Sequence, residues 1–151
     1  MRSGSPDAAH GTPLSSFDRS AFESRAMLNV LLVALGGAFG SVLRYLSGIA
    51  SVRLAGAGFP WGTLFVNVTG SFLIGVFSEV IARRFGASPE LRLFLVTGVL
   101  GGYTTFSAFS LDAAMLAEQG QFATAALYVA LSLVLSGLGV VAGLALMRAI
   151  V

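Results

Sequence analysis

The chain has 151 residues, 56% of them hydrophobic and only 11% charged, with a formal net charge of +2. A soluble domain of this length carries far more charge, so the composition describes a membrane protein. Cysteine is absent and the single histidine, His10, lies in a polar stretch, which excludes disulfides and thiolate metal centres and leaves metal catalysis without a donor set. Every basic residue is an arginine, standing singly or in pairs. No basic stripe interleaved with aromatics is formed, so nucleic acid is not an expected partner.

From Met1 to about Arg25 the chain is rich in Ser, Gly, Pro and charge and has no apolar period. A disordered tail is expected over 1–25, with one membrane domain over 26–151. The tail does not have the composition of a signal peptide. Four apolar segments follow, Met27 to Ala50, Trp61 to Ala82, Leu91 to Leu116 and Phe122 to Met147, each of roughly the 17–25 residues that cross a bilayer. The connections are short and hold the breakers and charges: Arg53, Gly56, Gly58 and Pro60, then Arg83, Arg84, Gly86, Pro89 and Arg92, then Glu118 and Gly120. Four crossings put both termini on one side. Arg25, Arg83, Arg84, Arg92 and Arg148 fall on that side and Arg53 on the other, so the positive-inside rule predicts cytoplasmic termini.

Polar residues within apolar helices face protein or a water-filled path, because hydrocarbon offers them no partner. In the first segment Arg44 follows the small residues Gly36, Gly37 and Gly40. It either snorkels to the nearby interface or raises anion concentration at a pore mouth. In the second segment Thr63, Asn67, Ser71 and Gly75 recur every four residues, as do Thr124, Tyr128, Ser132 and Ser136 in the fourth, so each set forms one helical stripe. Such stripes serve either as hydrogen-bonding glue between helices or as a track of neutral donors that replaces the water around a small anion. The third segment contains GGYTTFSAFS from Gly101 to Ser110. Two glycines and two threonines in five positions predict a weak point, either a kink or a break whose carbonyls suit a hard monovalent cation. Phe106 and Phe109 share a face beyond it, either as packing or with positive ring edges turned toward an anion. The pairs Gly36/Gly40, Gly98/Gly102 and Gly139/Gly143 read as close-packing motifs.

The blocks GGAFGSVLRY (36–45), GTLFVNVTGSFLIG (62–75) and GVLGGYTTFSAFS (98–110) together resemble the signatures of the Fluc (CrcB-type) fluoride channels, over all four helices. The resemblance implies an all-α membrane protein of four transmembrane helices with a break in the third. It implies an antiparallel, dual-topology homodimer in the cell (inner) membrane, with two pores that export fluoride passively. It assigns the pore to Asn67, Phe106, Phe109, Tyr128, Ser132 and Ser136, with Thr63 and Ser110 as further members, and it puts Arg44 at a vestibule. It also implies a structural sodium ion at the dimer centre, held by the backbone carbonyls of Gly101 and Thr104 from both copies. Two residues depart from the family's pattern. Ala108 stands where Ser or Thr is usual, and Asp112 where Glu is frequent. A family that inserts both ways is expected to show little charge bias, and the arginine asymmetry of this chain runs against that expectation.

Three rivals are weighed. A dual-topology proton-coupled multidrug exporter needs a carboxylate in its first helix, and no Asp or Glu occurs from Met27 to Pro60. A non-conducting packing subunit accounts for the glycines and stripes but not for Arg44, Asn67 and the weakened third helix together. One half of a heterodimeric fluoride channel fits the biased loops. No nucleophile with a nearby histidine and no paired buried carboxylates can be assembled, so an enzyme is not expected.

Overall fold

The computed structural model describes residues 19–150, with side chains from Phe22 onward. It is all-helical. In chain order the elements are α1 (Arg19–Ala55), α2 (Trp61–Arg84), α3 (Pro89–Leu91), a π-helix (Arg92–Leu100), α4 (Gly101–Tyr103), α5 (Phe106–Glu118) and α6 (Phe122–Ile150). They make four apolar spans, Phe22–Ala55, Trp61–Arg84, Pro89–Glu118 and Phe122–Ile150. The shortest has 24 residues, and at a rise of about 1.5 Å per residue it crosses a hydrocarbon layer of about 30 Å.

The helices overrun the boundaries expected from apolar content because their charged ends stay helical. Residues 19–25, expected in the tail, form the first turns of α1; Ala, Glu and Arg there are good helix formers. The remainder of the expected tail lies outside the described residues. At the same end of α2 and α6, Glu79 accepts from Arg83 Nε at 2.5 Å and from Arg148 Nε at 3.2 Å, joining the two helices. Short turns close the spans. Gly120, with φ +76°, takes the left-handed conformation that lets α5 stop and α6 begin two residues later.

Two helix pairs organise the bundle. α1 lies along the first half of the third span, and α2 lies along α6. Both contacts are backbone to backbone. A Cβ built on Gly36 would come 2.6 Å from the Phe94 carbonyl oxygen and 3.0 Å from Gly98 Cα, and one on Gly40 would run into the Val99 carbonyl. Across the other pair, Gly75 meets the backbone of Val140 and Leu144, and Gly143 meets that of Phe72. The glycine pairs therefore supply the close packing that membrane helices depend on. The core is small: Leu64, Phe109, Leu116, Ala125 and Tyr128 cluster between α2, α5 and α6. Many large apolar side chains point outward, as expected where the surroundings are lipid or another membrane protein.

The third span is not one helix. Its middle turns are wide, and the Gly101 N–H reaches both Gly98 and Val96 carbonyls. The span then opens at Thr104 (φ −79°, ψ 160°) and Thr105 (φ −155°, ψ 121°), both extended, before α5 starts at Phe106. The break thus falls on the threonines, while Gly101 and Gly102 remain helical.

Gly40→Ala is expected to destabilise the protein by about 1–3 kcal/mol, because neither backbone can move aside for the added carbon. Gly48→Ala, with nothing within 4 Å of its Cβ position, is expected to be neutral. Thermal melts of the two variants in detergent test the comparison.

Candidate functional site

Asn67 on α2 faces the break edge-on. Its Nδ2 donates to the Thr105 carbonyl at 2.9 Å, and its Oδ1 accepts the Thr105 N–H at 2.8 Å. One carboxamide therefore pairs with a single residue as a neighbouring strand would. In an unbroken helix that N–H would go to the Gly101 carbonyl. Thr105 also caps α5, its Oγ1 accepting the Ala108 N–H at 3.2 Å. Thr104 Oγ1 donates back to the Leu100 carbonyl at 3.0 Å, and its own carbonyl accepts from Arg44 Nη1 at 3.2 Å. Hydroxyls, amide and guanidinium thus satisfy backbone groups that lipid could not.

Beside the break is a cavity of about 250 Å³. α2 contributes Asn67 and Ser71, α6 contributes Ser132 and Ser136, and the third span contributes Thr104, Thr105, Phe106 and Phe109. Two residues of each polar stripe read from the sequence thus line one space. No ionised side chain is among its lining residues. Ser132 is 5% exposed, and its hydroxyl has no hydrogen-bond partner among the described residues. The hydroxyl of Tyr128, one turn earlier on α6, lies near that of Ser132. A buried hydroxyl left unpaired costs about 1–3 kcal/mol, so its presence in a cavity wall points to an occupant.

A second cavity, of about 390 Å³, opens at the end where α1 meets α2, lined in part by Ser51, Trp61, Thr63, Asp112 and Gln119. At its inner wall Asp112 Oδ2 accepts from Thr63 Oγ1 at 2.6 Å and from the Tyr128 hydroxyl at 3.3 Å. The two cavities are linked by aromatic rings. Phe106 and Phe109 have centroids 5.6 Å apart, Phe109 and Tyr128 5.4 Å, and Tyr128 and Phe59 5.5 Å, the last edge-on.

Asn67, Phe106, Phe109, Ser132, Ser136 and Thr104 are therefore brought together at the first cavity, while Thr63 lines the second and Tyr128 stands between them. Arg44 lines neither cavity; its Nη1 donates to the Thr104 carbonyl at the break. Ser110 donates to the Phe106 carbonyl at 2.9 Å on an exposed face of α5 and lines neither cavity. Gly101 is also exposed.

The chain from residue 31 to 144 matches the family described as CrcB-like protein, Camphor Resistance (CrcB). It belongs to the CrcB-like family. A protein of Rhizobium meliloti (strain 1021) named fluoride-specific ion channel FluC is 64% identical over 125 residues, which is 83% of this chain and 100% of the relative. A protein of the same name from Agrobacterium fabrum (strain C58 / ATCC 33970) is 63% identical over 81% of this chain and 98% of its own length. Fluoride-specific ion channel FluC 1 of Nitrobacter hamburgensis (strain DSM 10229 / NCIMB 13809 / X14) is 51% identical over 79% and 94%.

Within this CrcB-like chain three site residues stand outside the pore set that the resemblance implies: Ser71, Thr105 and Asp112. Ser71 was legible as the next stripe position after Asn67. Thr105 carried the signal of a Ser or Thr just ahead of a helix. Asp112 carried none, since its role depends on Thr63 and Tyr128, 49 and 16 residues away.

Ser132→Ala is expected to melt no lower than the parent in fluoride-free buffer, because it removes a buried hydroxyl without breaking a hydrogen bond. A drop of several degrees would show that the hydroxyl is paired in the intact protein.

Proposed function

We propose that this protein is a fluoride-selective channel that lets fluoride leave the cell passively across the cell membrane, as a multi-pass protein of the CrcB-like family. The observation that carries the reading is the cavity at the break. Its wall holds hydroxyls, one carboxamide and two phenylalanines beside Ile74 and Leu133, with no ionised group, and the buried Ser132 hydroxyl has no hydrogen-bond partner among the described residues. Neutral donors replace water around a small anion and still release it, whereas a buried Lys or Arg would retain it. The positive edges of phenylalanine rings add a weak preference for an anion over a cation. The names of the relatives supply fluoride as that anion.

The path runs from the break along Ser136, Ser132 and Tyr128 on α6 to Thr63. Asp112 lies at its far end, where Thr63 and Tyr128 hydroxyls hold a carboxylate. Hydroxyls that hold one anion can hold another, so fluoride passes there as the Asp112 carboxylate gives way.

The assembly is an antiparallel pair of identical chains. Phe106 is 76% exposed on the single chain, and Gly101 beside it is exposed too. A second copy set against this side would cover both residues and needs no other gene product. The neutral carbonyls of Gly101 and Thr104 suit sodium; the hydrogen bond from Arg44 takes one lone pair of the Thr104 oxygen and leaves the other. Bound there, sodium would supply the positive charge that joins the carbonyls of both copies.

Liposomes holding only the purified protein, under a fluoride gradient with potassium shunted, are expected to release fluoride and not chloride to ion-selective electrodes. Phe106→Ile is expected to lower that release at least about tenfold while the protein elutes as the parent does, the loss of stabilisation at one barrier being on the order of 1.4 kcal/mol. Silence from the parent protein would remove the self-sufficient homodimer, and parental rates from Phe106→Ile would remove the aromatic role.

A further inference from the structure

The third span breaks at two residues, and each is gripped from a different helix. Thr105 is held on both its N–H and its carbonyl by Asn67 of α2, at 2.8 and 2.9 Å. Thr104 is held on its carbonyl by Arg44 of α1, at 3.2 Å. α1 packs chiefly along the first half of the third span and α2 chiefly along α6, and the two also touch each other. Beside the Thr69–Tyr103 hydroxyl contact at 3.2 Å, the break is where polar contacts from both α1 and α2 meet on the third span. Thr104 and Thr105 immediately precede Phe106, so their backbone angles set where α5 starts and where the rings of Phe106 and Phe109 point.

We propose that Arg44 and Asn67 are positioning residues, a two-sided latch that fixes Thr104 and Thr105 and through them the aim of Phe106 and Phe109. Arg44 acts through the Thr104 carbonyl, not as a charge that gathers anions at a pore mouth. Asn67 acts first through Thr105: its Oδ1 and one hydrogen of its Nδ2 are engaged by that residue's backbone, leaving a single N–H for anything in the cavity. The chemistry explains the residue types. A carboxamide is the neutral side chain that can donate and accept side by side against a peptide unit. A guanidinium is the donor that reaches a carbonyl from a neighbouring helix and cannot lose its proton in doing so. The latch itself stands on this geometry; its effect on ion passage rests on the fluoride reading above.

The test is amide hydrogen exchange at Thr105 in the full-length protein in detergent or nanodiscs, paired with flux at low and high ionic strength set by an impermeant salt. In the parent protein the Thr105 amide is expected to be protected like its helical neighbours although it lies outside any helix. Asn67→Leu is expected to speed its exchange at least about tenfold, the loss of one buried hydrogen bond being worth on the order of 1.4 kcal/mol. Arg44→Met is expected to lower flux by the same factor at both ionic strengths, and Arg44→Lys, which keeps a donor, to recover part of it. A charge acting at a distance is screened beyond about 10 Å at 0.1 M salt. A deficit in Arg44→Met that disappears at high salt would therefore overturn the role given to Arg44. An unprotected Thr105 amide in the parent, or an unchanged rate in Asn67→Leu, would overturn that of Asn67. The parent measurement decides the matter even where a variant does not fold. It also separates the two readings: a protected amide in a protein that passes no fluoride would keep the latch and discard the channel.

Discussion

Hydrocarbon cannot hydrogen-bond to a peptide group, and in this chain two consecutive residues leave the helical ladder within a span that crosses it. Everything else in the fold answers that constraint. The Thr105 N–H and carbonyl are met by one carboxamide, the Thr104 carbonyl by a guanidinium, and the start of α5 by a threonine hydroxyl. The partners on α1 and α2 meet the break where these helices run close to it, Gly40 against Val99 and Tyr103 and Gly70 against Thr104. The glycine contacts of α1 with the third span, and of α2 with α6, bring the backbones close enough that short polar side chains suffice. Packing and polar satisfaction are thus one problem with one solution.

The same arrangement divides labour along the polar stripes. Toward the end of α2, Gly75 meets α6 backbone to backbone, and the helices close tightly. Nearer the break, Asn67 and Ser71 on one helix and Ser132 and Ser136 on the other stand apart around a cavity. Close helix contact and an open cavity are both present along the stripes, at different heights. The cavity is neutral along its wall, whereas a carboxylate stands at the next opening, already solvated by Thr63 and Tyr128.

Exposure of apolar surface is ordinary for a membrane protein, and the break itself is shielded, Thr105 being buried. Phe106 and Gly101, on either side of it in the chain, lie open on the single chain. Phe109, three residues on, is 8% exposed within the core. The two rings of the pair therefore have different surroundings in one chain. A second copy set against the break would remove that difference, and this is the physical ground for reading the single chain as half of an assembly.

The sequence by itself determined the number and type of the elements, because four apolar segments of bilayer length admit no other soluble or membrane architecture of comparable economy. It also determined which residues face inward, since a polar residue every four positions in an apolar helix marks one face, and it located the weak point of the third span to within a few residues. The tertiary structure alone decided where that weakness becomes a break. Glycines lower helix propensity, but the peptide that opens is the one with an external partner, and only folding brings Asn67 to Thr105 across 38 residues of chain. It likewise decided that Arg44 holds the break and lines no cavity, and that Asp112 joins Thr63 and Tyr128. Periodicity reports the face a side chain occupies on its own helix; the partner it meets is fixed by how the helices cross.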